Sequence, residues 1–316
     1  MAEIRRTGPR LCDVTHVIDV RTPQPWALVV HGGAGAPAWK MTMERLKGIH
    51  QGLSDAYGAG EEVLSRGGAA LDAVCAAVAV LEDDPLFNSG RGAALTAAGD
   101  VEHDASVMSG DGRGGAVALS RHTRHPVLLA RAVRDNSAHV LLADPPDELV
   151  ASWGLEMVSN EWFVTEHQRE HLAEVRARVA VRQHGTVGAV ALDRAGHVAA
   201  ATSTGGAENQ ASGRIGDTPL LGAGTWARDD VVAVSCTGAG EAFMQGAVAH
   251  QVSARIEYGL QDVADSARTV INNEIGGREA IGGLIAVTPK RRCVLAWNSP
   301  GFLAAWWENG ELRTRM

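Results

Sequence analysis

No stretch of this 316-residue chain approaches the roughly 18 consecutive apolar residues of a membrane-spanning helix. Residues Met1 to Arg10 are polar and basic with no apolar segment behind them, so no secretory signal is expected and the protein is expected to stay in the cytoplasm. Cysteine is scarce: Cys12, Cys75, Cys236 and Cys293 stand far apart, without the paired spacing of a disulfide framework or a zinc ribbon. Clustered positive charge is missing too. With a formal charge of −8, and basic runs only at Arg121/Arg124 and Lys290-Arg291-Arg292, the chain has neither a nucleic-acid footprint nor a polybasic membrane anchor. No repeat of fixed period is visible, and no linker-like stretch divides the chain.

What remains is an ordinary globular composition, 45% apolar and 21% charged. Residues 1–25 lack periodicity and read as an extension, leaving 26–316 as a single domain that opens with a strand from Trp26 to His31. Apolar residues at helical spacing predict helices from Met41 to Gly67 and from Ala69 to Glu82, followed by a loop from Asp83 to Gly92. Short strands are expected from Ala93 to Met108 and from Gly115 to Ser120. Residues 126–180 read as mainly helical, with a short strand at Val140 to Leu142 and a charged last helix from Glu161 to Val179. A hairpin from Thr186 to Leu192 and His197 to Thr202 turns at Asp193-Arg194-Ala195-Gly196. A strand from Val231 to Cys236 precedes helices from Glu241 to Tyr258 and Gln261 to Asn273, and strands near Gly283 to Thr288, Cys293 to Trp297 and Leu303 to Trp306 close the chain. Several strands, such as Ala189 to Leu192, are apolar at consecutive positions and so expected to be buried on both faces. Two stacked sheets covered by helices would bury them. The expected class is therefore α+β, a four-layer αββα sandwich.

One threonine stands out by its position. Thr186 opens a strand directly after Gly185, and glycine allows the backbone angles under which a following hydroxyl attacks the preceding carbonyl. Cleavage between Gly185 and Thr186 would leave an α-amine on the nucleophile's own residue. The reference pKa of such an amine is about 7.7 to 8.0, so it can serve as the base for its own hydroxyl. Thr204, ending the paired strand, brings a second hydroxyl. Arg214 and Asp217 lie three residues apart on a glycine-bracketed loop and suit an amino-acid head group, the guanidinium taking an α-carboxylate and the carboxylate an α-ammonium; a salt bridge in a turn is the alternative. The run Thr237-Gly238-Ala239-Gly240-Glu241 ends a strand at a helix start, where the Thr237 hydroxyl and Gly238 amide can form an oxyanion site. A dinucleotide turn is disfavoured there, since Phe243 occupies the place of a third glycine.

Together these segments resemble the plant-type L-asparaginases, or isoaspartyl peptidases, among the N-terminal-nucleophile hydrolases. The resemblance begins at His31-Gly32-Gly33-Ala34-Gly35, passes through Pro85-Leu86-Phe87-Asn88-Ser89-Gly90 and Asp104-Ala105-Ser106-Val107-Met108, and reaches Asn298-Ser299-Pro300-Gly301. It implies self-cleavage into an α chain, 1–185, and a β chain, 186–316, and hydrolysis of L-asparagine and β-aspartyl dipeptides. It implies Thr186 as nucleophile, Thr204 as its partner, Arg214 and Asp217 as clamps, and Thr237 and Gly238 as oxyanion donors. The Gly240 carbonyl would touch the substrate ammonium, and Asn88 would lie near the nucleophile. No cofactor is implied for catalysis, but a structural sodium is, on the backbone carbonyls of Leu81, Glu82, Asp84, Phe87, Ser89 and Arg91. A homodimer of αβ units is also implied.

The related glycosylasparaginases match in the same places but commonly carry asparagine where Gly206 stands, which favours the unglycosylated substrates. Three departures from the family pattern are Gln210 for lysine, Ser299 and Phe302 for threonine and methionine, and a short stretch before His184. Two rival readings remain. His167, Glu170 and His171 match the H-x-x-E-H pattern of inverted zinc peptidases, and the Arg214/Asp217 pair would also serve a non-enzymatic amino-acid-binding module.

Overall fold

A computed structural model describes residues 15–177 and 185–316. His184 and the stretch just before it lie outside the described residues, as does Cys12.

The first half of the chain runs β1 (His16–Arg21), β2 (Ala27–Gly35), α1 (Met43–Ser65), α2 (Ala70–Asp83), β3 (His103–Ser109), β4 (Gly114–Ser120) and α3 (Pro126–Asn136), then β5 (Leu141–Ala143), α4 (Asp147–Ser152), α5 (Asn160–Phe163) and α6 (Glu166–Arg176). The second half runs β6 (Val187–Leu192), β7 (Val198–Thr204), β8 (Thr225–Arg228), β9 (Val232–Gly238), α7 (Gly240–Gly246), α8 (Val248–Glu257) and α9 (Val263–Val270), then β10 (Gly282–Val287), β11 (Arg292–Trp297), β12 (Gly301–Glu308) and β13 (Glu311–Arg315). The strands form an eight-stranded sheet, ordered β13-β12-β2-β6-β7-β3-β4-β5, and a five-stranded sheet, ordered β1-β11-β10-β9-β8. All pairings are antiparallel except β4 with β5.

Strand periodicity sorts the core. Because successive side chains point to opposite faces, Val187, Ala189 and Ala191 of β6 pack with Leu53, Val74 and Val78 of α1 and α2. The alternate residues Val190 and Leu192 pack with Ile285, Leu295 and Trp297 of the other sheet. In the smaller sheet Val234, Leu284 and Val294 turn to Val252, Ala267 and Val270 of α8 and α9. The mixed α and β composition and the two sheets match the expectation.

The central hairpin is held by one side chain. Asp193 Oδ1 accepts the amides of Ala195 and His197 at 2.9 and 3.0 Å, closing the turn. Its Oδ2 accepts the Ala70 amide at 3.1 Å, at the start of α2. The turn is thereby tied to the helix that packs on the strands it joins.

Several local expectations are corrected. The single helix from Glu241 to Tyr258 breaks at Ala247, which adopts a left-handed conformation at φ 44° and separates α7 from α8. Of the run from Ala93 to Met108 only His103 onward is strand; residues 93–102 are irregular chain, buried except at an exposed turn over 97–100, with Thr96 bridged to Gln210. The charged last helix divides into α5 and α6, where Thr165 caps α6 by accepting the Gln168 amide at 3.2 Å. Of the segment expected as an extension, His16–Arg21 forms edge strand β1, which Val17, Ile18 and Val20 attach to the two cores of the smaller sheet.

Candidate active site

The expected site residues lie on the ends of different elements that the two sheets bring together. Gly185 and Thr186 directly precede β6, Thr204 ends β7, and Thr237 and Gly238 end β9. Arg214 and Asp217 come from the long connection between β7 and β8. Two buried carboxylates hold that connection in place: Asp104 of β3 accepts the Gly216 amide at 2.8 Å, and Glu102 accepts the Gly213 amide at 2.9 Å. Asp217 closes its own turn, its carbonyl accepting the amides of Leu220 and Gly224 at 3.1 Å each. One cavity of about 10 Å³ is lined by Gly185, Thr186, Thr204, Arg214, Asp217 and Gly238, with Gly240 beside them.

On its wall is Gly185, whose carbonyl is held by two donors. Asn88 Nδ2 and the Thr204 hydroxyl each donate to that oxygen at 2.7 Å. Asn88 is held in turn by donating to the Gly206 carbonyl and accepting the Ala94 amide, both at 2.7 Å. The Thr186 hydroxyl is buried and reaches Thr204 Oγ1 at 3.4 Å. The Thr237 hydroxyl, fully buried, has no partner. Two donors thus grip the carbonyl ahead of Thr186, and a third hydroxyl waits unpaired in the same region.

The clamp residues are adjacent, and their charges are unequal. Arg214 donates from Nε to Glu241 at 2.9 Å and from Nη1 to Gln210 Oε1 at 3.2 Å. Burial raises Asp217 to about 7, against the opposing effects of its own backbone amide and of Arg214, while Asp104 and Glu241 push the same way as burial. Its Oδ2 has no partner. A Cβ on Gly240 would stand 2.8 Å from Asp217 Oδ1 and 3.1 Å from Arg214 Nη2, so only a glycine leaves that corner open. A buried carboxylate with a free oxygen beside an arginine is suited to a ligand carrying both an ammonium and a carboxylate.

Some participants had not been expected. Gln210 Oε1 also accepts the Ala207 amide at 2.8 Å, so the residue standing where lysine is usual both closes a turn and steadies Arg214. Glu241 pairs with Arg214 across the loops, a contact that no local spacing could announce. Ser299 and Phe302, the other departures, lie outside the cavity: Ser299 donates to the Gly301 carbonyl at 2.7 Å, and Phe302 stacks on Trp297 at 5.3 Å. Behind Thr186, His31 Nε2 meets Ser235 Oγ at 2.9 Å, and the contacts continue through Thr202, Thr225 and Ser106 to the Thr218 carbonyl. Burial drives His31 down to about 3, so this imidazole is neutral.

The segment 81–91 curls tightly after α2. The Glu82 carbonyl accepts the Arg91 amide at 2.7 Å, and the Asp84 carbonyl accepts the Phe87 amide at 3.2 Å. Gly90, at φ 55°, would place a Cβ 2.0 Å from the Glu82 carbonyl oxygen, so only a glycine lets the chain pass this close to that carbonyl. Carbonyl oxygens keep a second lone pair after one hydrogen bond, which fits a hard monovalent cation. The zinc reading fares differently. His167 and His171 stack at 6.4 Å, but among the described residues no group of three or more His, Cys, Asp or Glu could hold a metal. Also among the described residues, no helix is long and apolar enough to cross a membrane.

A family model described as Asparaginase matches residues 24–316. An isoaspartyl peptidase of Salmonella typhimurium is 42% identical to this chain, covering 91% of it and 96% of the relative. An isoaspartyl peptidase/L-asparaginase of Homo sapiens is 39% identical over 90% of this chain and 94% of its own. A probable isoaspartyl peptidase/L-asparaginase 2 of Arabidopsis thaliana is 37% identical, covering 87% and 94%. With the family match spanning nearly the whole chain and these relatives agreeing end to end, the protein belongs to the asparaginase family.

Proposed function

We propose that this chain is a threonine amidohydrolase that hydrolyses the side-chain amide of L-asparagine and β-aspartyl dipeptides, after cutting itself between Gly185 and Thr186. The observation that carries the reading is the Gly185 carbonyl, held at 2.7 Å by both Asn88 and Thr204 immediately before a buried threonine. The names of the relatives, isoaspartyl peptidase and L-asparaginase, support the substrates.

On this reading, self-cleavage begins at that carbonyl. The Thr186 Oγ adds to the Gly185 carbonyl carbon, and Asn88 and Thr204, already donating to its oxygen, stabilise the charge that develops there. The C–N bond breaks as the hydroxyl proton passes to the Thr186 nitrogen, leaving an ester. Water hydrolyses it to a Gly185 carboxylate and a free Thr186 with an α-amine.

Catalysis then reuses the same hydroxyl. The neutral amine takes the Oγ proton, and Oγ attacks the substrate's β-carbonyl. The Thr237 hydroxyl and Gly238 amide receive the oxyanion, a stabilisation worth about 3 to 4 kcal/mol per donor by the usual cost of deletion. The leaving amine departs with the proton, and water releases aspartate from the ester. Arg214 holds the α-carboxylate, and Asp217 with the Gly240 carbonyl holds the α-ammonium. The finer architecture is a four-layer αββα sandwich, supported by the alternation of β6 residues between a helix-facing and a sheet-facing core. The carbonyls of Leu81, Glu82, Asp84, Phe87, Ser89 and Arg91 would hold a structural Na+ that stiffens the loop bearing Asn88. By family resemblance, two αβ units pair as a homodimer.

Kinetics on fully processed protein with L-asparagine, a β-aspartyl dipeptide and a glycosylated asparagine test the reading. Turnover of the first two is expected to exceed the third, with Thr186→Ala uncut and inactive. Asparagine turnover by that variant would refute it.

A further inference from the structure

Two cavities meet at Gly185. The first, already described, is about 10 Å³ and holds the clamp for the aspartyl head group. The second is about 110 Å³ and lies against the glycine-rich end of β2, with Arg45 of α1, Asn88, His167 and His171 of α6, and Glu208 on its walls. Gly185 lines both.

The larger cavity gathers polar groups whose bonding is unmet. Arg45 is half-buried, and among the described residues no carboxylate pairs with its guanidinium; Asp84 acts on it only through space. The Nε2 of His171 is buried with no partner, its Nδ1 facing Glu174 at 3.8 Å. Glu208, 1% exposed, has an unpartnered Oε1, and it is the one carboxylate among the described lining residues. Burial raises that acid to about 7. Two donors, Arg45 and His171, on the walls of one space that Gly185 also lines describe a seat for an anion.

We propose that this cavity is the leaving-group subsite, which takes the C-terminal residue of a β-aspartyl dipeptide with its α-carboxylate on Arg45 and His171. The proposal rests on the hydrolase reading above. Because the same Thr186 hydroxyl attacks both Gly185 and the substrate, the substrate's reacting carbonyl must come beside Thr186, where Gly185 lines both cavities. Its aspartyl portion extends into the clamp, so the amino acid on the leaving nitrogen extends to the other side, where Arg45 waits. Ammonia released from asparagine carries no carboxylate, so that substrate draws nothing from the subsite.

Processed wild-type enzyme is assayed with β-aspartyl-alanine, its C-terminal amide β-aspartyl-alaninamide, and L-asparagine, alongside processed Arg45→Ala and Arg45→Lys. Wild type is expected to favour the free acid over the amide by about tenfold in kcat/KM, mainly through KM, as befits loss of one charge-assisted contact. Arg45→Ala is expected to abolish that preference while leaving asparagine turnover unchanged, and Arg45→Lys to restore part of it. Equal hydrolysis of acid and amide by wild type would overturn the subsite even if Arg45→Ala failed to fold, as would an equal loss on all three substrates in the variant. Turnover of none of them by processed wild type would overturn the hydrolase reading and the subsite with it.

Discussion

At the scale of single residues, the site depends on what each group lacks. Thr237 has a hydroxyl with no partner, Asp217 a carboxylate oxygen with none, and the Gly185 oxygen has two donors where a peptide carbonyl needs one. Asp217 gives this arrangement a pH signature. Burial raises it to about 7, so as pH falls through that value it gains a proton and can no longer balance a substrate ammonium. KM for asparagine is therefore expected to rise towards tenfold per unit below about pH 7, because a single required ionisation is being lost. The Thr186 amine must separately be neutral, which makes kcat fall below about pH 8. Initial rates between pH 5.5 and 9 check both limbs, and a KM that stays flat across that range would remove Asp217 from ammonium binding.

At the scale of elements, the strand beginning at Val187 is crowded from behind. A Cβ on Gly188 would lie 2.1 Å from Ser235 Oγ and 2.4 Å from His31 Nε2, both buried in the hydroxyl chain between the sheets. Gly188→Ala is expected to destabilise the protein by about 1 to 3 kcal/mol, the usual cost of overpacking. Because Thr186 directly precedes this strand, self-cleavage should slow as well. Thermal unfolding and the rate of chain appearance measure these effects, and an unchanged Tm would contradict the packing described. The same hairpin was readable beforehand, since Asp193 and Gly196 announce the turn and the flanking residues are uniformly apolar. The break at Ala247 was not, because alanine favours helix and only the surrounding packing forces it to φ 44°. Edge strands β1, β8 and β13 were also silent, their short mixed sequences gaining strand form from a neighbour. Among site residues, Thr186, Thr204, Arg214 and Asp217 were legible from local chemistry. Gln210 reaches Arg214 only four residues on, but its use of that contact depends on the loop's shape, while Glu241 meets Arg214 across 27 residues and Arg45 lines its cavity from the other half of the chain, separations that no local pattern encodes.

At the scale of the whole molecule, two stacked sheets place the ends of β6, β7 and β9 around a single bond. In the uncleaved chain the clamp cavity of about 10 Å³ holds no more than one water, far too little for an aspartyl group. Gly185 lines both this cavity and the larger one, and on the proposed mechanism opening the chain there would both create the base and vacate the room that a substrate needs. On that mechanism activity appears only with cleavage. Intact-mass spectrometry of the active enzyme, with N-terminal sequencing of its smaller chain, tests this most directly. The account predicts two chains, the smaller beginning Thr-Val-Gly-Ala, in amounts that track activity as the precursor matures. A fully active protein that remains a single chain of 316 residues would contradict it.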